Sequence, residues 1–256
     1  MAKEIGILVI HGMGSQTPQY AEPMIAEVNR RLEKQNVDVE TIAWEPVFWS
    51  HVTEQNELRY LRNVAGMDLD FMSLRKFIVK AFGDAVAYQK VDDPNNHTYA
   101  MVNEEIANSM SRLHEVLGGE DKPLIIMAHS LGCVVMSNYI WDNRNPQQES
   151  GFMNFDTMAR VITFGSNLPL FSFAHNDPKA IDLPDGCIWN NYYDTDDVLG
   201  YPLKPISRSY ERAVTEDIEI NVGSIIGSWN PMSHSSYWTD NDFTKAVAAH
   251  IGDVLA

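Results

Sequence analysis

The chain has 256 residues, and several things that it holds little of are informative. Cysteine occurs only at Cys133 and Cys187, too few for a disulfide framework and without metal-ligand spacing. Free thiols in a reducing, cytoplasmic setting are therefore the expectation, with no bound metal. Positive charge is scarce: 19 Lys and Arg stand against 35 Asp and Glu, a formal net charge of −16. That balance argues against nucleic acid or an anionic membrane surface as a partner. No apolar run approaches the roughly 20 residues that cross a bilayer, so integral membrane association is not expected. The N-terminal stretch lacks a basic segment followed by a small-residue cleavage site, so no signal peptide is expected either. Phosphate-cradling loops are missing. Gly12 and Gly14 form G-x-G, but Thr17 stands where a third glycine is needed, and no Gly-Lys pair completes a P-loop. No cofactor is expected. Repeats, low-complexity tracts and flexible linkers are absent too, which favours one domain over residues 1–256.

What the chain does have is alternation. Short apolar runs read as strands at Ile5–Ile10, Val39–Trp44, Leu124–Ala128, Val161–Phe164, Ile188–Tyr193 and Ile218–Val222. Helical stripes lie between them. Met24, Val28 and Leu32 step by four; Tyr99, Val102, Ile106, Met110, Leu113 and Leu117 step by three and four and stop at Gly118-Gly119. Phe243, Val247 and Ile251 mark a last helix, with Thr239 and Asp242 in a capping-box arrangement at its start. Strands alternating with helices predict an α/β fold, a doubly wound and mostly parallel sheet covered on both faces. The segment from about 47 to 90 breaks the pattern. Its large apolar residues at helical spacing, among them Phe48, Trp49, Leu58, Phe71 and Phe82, read as a helical insertion. It serves either as extra core or as a lid or wall of an apolar substrate pocket.

The run Leu124–Ala128 ends in His129-Ser130-Leu131-Gly132 and feeds a helix. Such a strand-to-helix turn lifts the Ser130 hydroxyl above the sheet, where a base can take its proton and the Leu131 N–H can face an oxyanion. The tight turn needs small residues two before and two after the serine, here Ala128 and Gly132. A serine nucleophile also needs a base and a group that orients the base. In doubly wound sheets these sit where loops converge at the carboxyl ends of strands. One such end carries Asp194, Asp196 and Asp197, and the residues alone do not choose among them. Another, Trp229 to His234, carries a histidine just before the last helix. His234 is the histidine in the right place. His51, His97 and His114 precede the serine, His175 precedes the acid strand, and His250 lies inside the last helix. His129 occupies the variable elbow position and points away from the attack site. The turn His11-Gly12-Met13-Gly14 after the first strand can supply a second oxyanion donor, the Met13 N–H.

With these residues together, the chain resembles the α/β-hydrolase superfamily, in particular its lipase-like serine esterases. His11-Gly12 is similar to the superfamily's oxyanion loop, and Ala128-His129-Ser130-Leu131-Gly132 to its nucleophile elbow. Val161 to Ser166 is similar to the strand after the elbow in class 3 lipases, with Asn167 where those often carry proline. Asp197-Val198-Leu199-Gly200-Tyr201-Pro202-Leu203-Lys204-Pro205-Ile206 is similar to a stretch of DDHD-type phospholipases whose leading aspartate is the triad acid. That likeness favours Asp197, whereas a looser alignment on the superfamily favours Asp196. The resemblance implies a serine hydrolase that cleaves carboxylic esters through an acyl-enzyme on Ser130. His234 would be its base, Asp197 its acid, and Met13 and Leu131 its oxyanion donors. The apolar insertion suggests an apolar acyl group. The same machinery would serve a thioesterase or acyltransferase, and a broken triad would indicate a binding module on a hydrolase scaffold.

Overall fold

A computed structural model describes residues 2–14, 16–64, 72–90, 97–145, 151–222 and 233–256. The apolar runs become six parallel strands: β1 (Ile5–Ile10), β2 (Ile42–Val47), β3 (Leu124–His129), β4 (Met158–Phe164), β5 (Ile188–Tyr193) and β6 (Glu216–Glu219). Their order in the sheet is β2-β1-β3-β4-β5-β6. The chain steps from β1 to one side for β2, then crosses back to place β3 on the other side. The carboxyl ends of β1 and β3 therefore flank the point where the winding reverses, the place where such sheets open a crevice for ligands.

Side chains alternate between two cores. Leu8, Ile10, Leu124, Ile126 and Ala128 face the helices α4 (Thr98–Val116) and α5 (Leu131–Asn143). Ile5, Ile7, Val9, Ile125 and Met127 face α1 (Glu22–Lys34) and the last helix, Asn241–Leu255. Burial on both faces is why β1 and β3 are apolar throughout rather than alternating. The stripe on α4 is buried as expected at Val102, Ile106, Met110 and Leu113. Gly118 and Gly119, at φ +79° and +70°, take the left-handed conformations that end that helix.

The region that breaks the alternation forms α2 (His51–Val64) and α3 (Met72–Ala87), a helical insertion between β2 and α4. Residues 65–71, with Phe71 among them, lie outside the described residues. Later come the short helices α6 (Leu168–Ser172) and α7 (Arg208–Ala213), and then α8, the last helix.

Several boundaries differ from the sequence reading; β4, for one, starts at Met158 rather than Val161. Val39–Thr41 is a 3-10 turn, because the Asp38 carboxylate accepts from the Glu40 N–H at 3.0 Å; β2 starts at Ile42. β2 tolerates Pro46 because it is an edge strand. β6 runs Glu216–Glu219 rather than from Ile218. The cap of α8 is Asp240, whose carboxylate accepts from the N–H groups of Asp242 (2.9 Å) and Phe243 (2.8 Å), not Thr239.

Candidate active site

Ser130 sits between β3 and α5 with φ +53° and ψ −125°, a conformation that a non-glycine residue adopts only under constraint. The constraint is visible in its surroundings. Ser130 N–H donates to the Phe164 carbonyl of β4 at 3.1 Å, and its own carbonyl accepts from Cys133 N–H at 3.0 Å. Gly132 is required: a Cβ there would stand 2.5 Å from the His11 carbonyl oxygen. Gly12 is required for the reciprocal reason, since its Cβ would meet the Ser130 Cβ at 2.4 Å. These two glycines let the turn after β1 press directly on the elbow.

The three distant stretches meet. His234 Nε2 lies 2.6 Å from Ser130 Oγ, and its Nδ1 lies 2.8 Å and 3.0 Å from the two carboxylate oxygens of Asp197. With Nδ1 protonated, the ring donates to Asp197 and accepts from the serine hydroxyl. That is the tautomer needed to receive the proton. Ser130, His234 and Asp197 are all buried. The aspartate is further held by the Leu199 N–H at 3.0 Å and the Tyr237 hydroxyl at 3.2 Å. Burial opposes its charge, but the hydrogen bond and charge of His234, with these two donors, outweigh it and hold the carboxyl below the ordinary aspartate value. Gly200 makes room for it, because a Cβ there would lie 2.5 Å from Asp197 Oδ2.

The other aspartates are occupied differently. Asp194 accepts from the N–H groups of Val222 (2.6 Å) and Asp196 (2.8 Å), so it shapes the loop. Asp196 is exposed. The stretch preceding His234, Trp229 to Met232, lies outside the described residues.

Two supporting residues were not evident from the sequence. His129, in the variable elbow position, packs its ring 4.8 Å from that of His234, and its Nε2 meets the His234 carbonyl at 2.8 Å and so fixes the backbone of the base. Burial, with the nearby His234 imidazole, pushes the His129 pKa down to about 3, so it is a neutral donor here. Tyr237, one helical turn after His234, bridges Asp197 and the Asp194 N–H. Its i+3 spacing from His234 was the available signal. The remaining histidines do other work: His250 bonds Arg160 and Tyr192, His114 stacks on Phe152, and His51 faces Glu105.

The Leu131 N–H opens α5, where helical geometry leaves it without an intrahelical partner. Among the described residues, neither it nor the Met13 N–H donates a hydrogen bond. No cluster of His, Cys, Asp and Glu that could hold a metal occurs among the described residues, nor is any described helix long and apolar enough to cross a membrane. Cys133 and Cys187 are free thiols. A cavity of about 610 Å³ lies on the α5 side of the sheet, lined by Tyr88, Tyr99, Val134, Trp141, Leu168 and Phe171 among others. No triad residue lines it.

No protein-family profile matches the chain, and no curated protein does. Among solved structures it is similar to one described as "LipS and LipT, two metagenome-derived lipolytic enzymes increase the diversity of known lipase and esterase families". Identity is 13% and the TM-score 0.47, over 100% of this chain and 95% of that one. It is also similar to phospholipase PlaB from Legionella pneumophila in complex with thio-NAD, at 10% identity and a TM-score of 0.33, over 74% of this chain and 38% of that one. The functional reading rests on the chain's own geometry: a doubly wound parallel sheet, a strained serine elbow and a Ser-Asp-His order along the chain, as in the α/β-hydrolase fold.

Proposed function

We propose that this protein is a serine hydrolase that cleaves carboxylic esters through an acyl-enzyme on Ser130. The observation that carries the reading is the continuous contact Ser130 Oγ to His234 Nε2 (2.6 Å) and His234 Nδ1 to Asp197 Oδ2 (2.8 Å). Ser130 Oγ attacks the ester carbonyl while His234 Nε2 takes its proton. The Met13 and Leu131 N–H groups receive the negative charge that develops on the carbonyl oxygen. Collapse of the tetrahedral intermediate breaks the bond to the alcohol, which leaves with the proton from His234. Water then attacks the acyl-enzyme by the same route in reverse roles, regenerating the serine. Asp197 stays ionised and stabilises the imidazolium. An apolar acyl group is supported by the apolar residues of the insertion, among them Phe48, whose ring lies 6.0 Å from that of His11 in the turn after β1.

Labelling with a fluorophosphonate tests this directly. Modification is expected at Ser130, absent in Ser130→Ala and strongly reduced in His234→Ala. Hydrolysis of p-nitrophenyl esters should fall by at least ~10³-fold in both variants. A folded wild-type chain that takes no label at neutral pH sinks the reading. Faster turnover of acyl-coenzyme A thioesters than of p-nitrophenyl esters would move the assignment to a thioesterase.

A further inference from the structure

The turn that would supply the second oxyanion donor is clasped on both sides of Met13, and both clasps come from the helical insertion. Before Met13, the His11 ring is fixed by the segment that leads into α2. Its Nε2 accepts from the Trp49 N–H at 3.2 Å, and the Trp49 indole donates back to the His11 carbonyl at 3.1 Å. The two rings stack with centroids 5.0 Å apart. After Met13, the Gly14 N–H donates to Asp84 Oδ2 at 2.7 Å. Asp84 belongs to α3, seventy positions further along the chain. Its other oxygen receives the hydroxyl of Thr53, which belongs to α2.

Asp84 is 1% exposed. A carboxylate at such a place costs much desolvation and is retained only where it is well hydrogen-bonded. As core filling it would be a poor choice, since an apolar residue of its volume would serve better. As an acceptor for one backbone amide it is strong and directional. Gly14, at φ +88°, has a backbone that only glycine adopts readily, so the turn has no intrinsic stiffness of its own there. The peptide plane between Met13 and Gly14 must be held from outside.

We propose that Asp84 is a positioning residue of the active site: by gripping the Gly14 N–H it fixes the peptide after Met13, and with it the aim of the Met13 N–H at the oxyanion. Thr53 orients the carboxylate. The insertion is then a built part of the oxyanion loop rather than only an additional wall. This rests on the reading of Ser130 as a nucleophile, because an oxyanion donor has work to do only if an oxyanion forms.

Asp84→Ala should lower kcat for a p-nitrophenyl ester by roughly tenfold or more, short of the ~10²–10³-fold cost of deleting an oxyanion donor outright. KM should stay within about twofold, since the interaction matters only once charge develops. The pH profile of kcat/KM should not move. Asp84→Asn keeps one acceptor oxygen and should recover most of the lost kcat; Thr53→Val should fall between. A readout independent of turnover is hydrogen exchange at the Gly14 amide. It should quicken by roughly tenfold or more in Asp84→Ala, while amides of β1 keep their protection. Wild-type kcat in Asp84→Ala, or an Asp84→Asn as impaired as Asp84→Ala, overturns the proposal. If Asp84→Ala does not fold, Thr53→Val and amide exchange in Asp84→Asn decide. A wild-type chain that neither labels nor hydrolyses esters overturns the catalytic reading and the positioning role with it. Fast exchange at Gly14 in the wild type overturns the clasp alone.

Discussion

Asp194, Asp196 and Asp197 lie within four positions of one another, yet one alone meets the imidazole. Asp194 spends its oxygens on backbone amides, Asp196 faces solvent, and Asp197 turns inward to His234 and Tyr237. The consequences of substitution differ accordingly. Asp197→Asn should reduce kcat by about 10⁴-fold, because an amide at that place stabilises the wrong imidazole tautomer. Asp194→Asn should cost roughly 1–3 kcal/mol of stability, read from urea denaturation, with a smaller effect on turnover. Asp196→Asn should resemble the wild type. Severe loss on substituting Asp196 would mean that the acid has been misassigned. The sequence narrowed the acid to these three by placing them after β5, and the likeness to DDHD-type phospholipases pointed to Asp197. It could not show that Gly200 leaves the space Asp197 occupies, since that depends on how the chain folds back on itself.

At the scale of elements, hydrophobic period located β1, β3, β5 and α4 because each is long or apolar enough to override its neighbours. Ends decided by single side chains were harder. Asp38 turns Val39–Thr41 into a 3-10 turn, and Asp240 rather than Thr239 starts α8. Asp240 and Thr239 are adjacent good capping types, and only backbone geometry separates them. Asp240→Ala should lower stability by about 1 kcal/mol. Thr239→Ala should leave the urea midpoint close to wild type, since the Thr239 hydroxyl makes only a 3.5 Å contact to the Ser236 carbonyl. Equal effects of the two would return the cap to Thr239. The insertion was legible as helical but not in its role. Nothing in the spacing of residues 47–90 links Asp84 to Gly14, seventy positions away.

For the whole molecule, the clearest global consequence of burial is acid sensitivity. Burial is the main cause that lowers the pKa of His11 to about 4 and of His129 to about 3, from an ordinary value of 6.5. Between those values and 6.5 the unfolded chain binds more protons than the folded one. Stability is therefore complete above 6.5 and declines as pH falls, by about 1.4 kcal/mol per pH unit for each of the two imidazoles. From pH 7 to pH 5 the urea midpoint should drop markedly; a midpoint that holds or rises would mean that both rings take up protons while folded. By itself, the sequence determined the layered parallel fold, the serine on its elbow and the histidine and aspartate cluster at neighbouring strand ends, because periodicity and small-residue turns are local properties. Tertiary structure alone decided which carboxylate meets His234, that His129 and Tyr237 hold the pair in place, and that Trp49, with Asp84 of α3, grips the turn after β1. Those contacts join residues tens of positions apart through the winding of the sheet, and no local pattern encodes a distance across it.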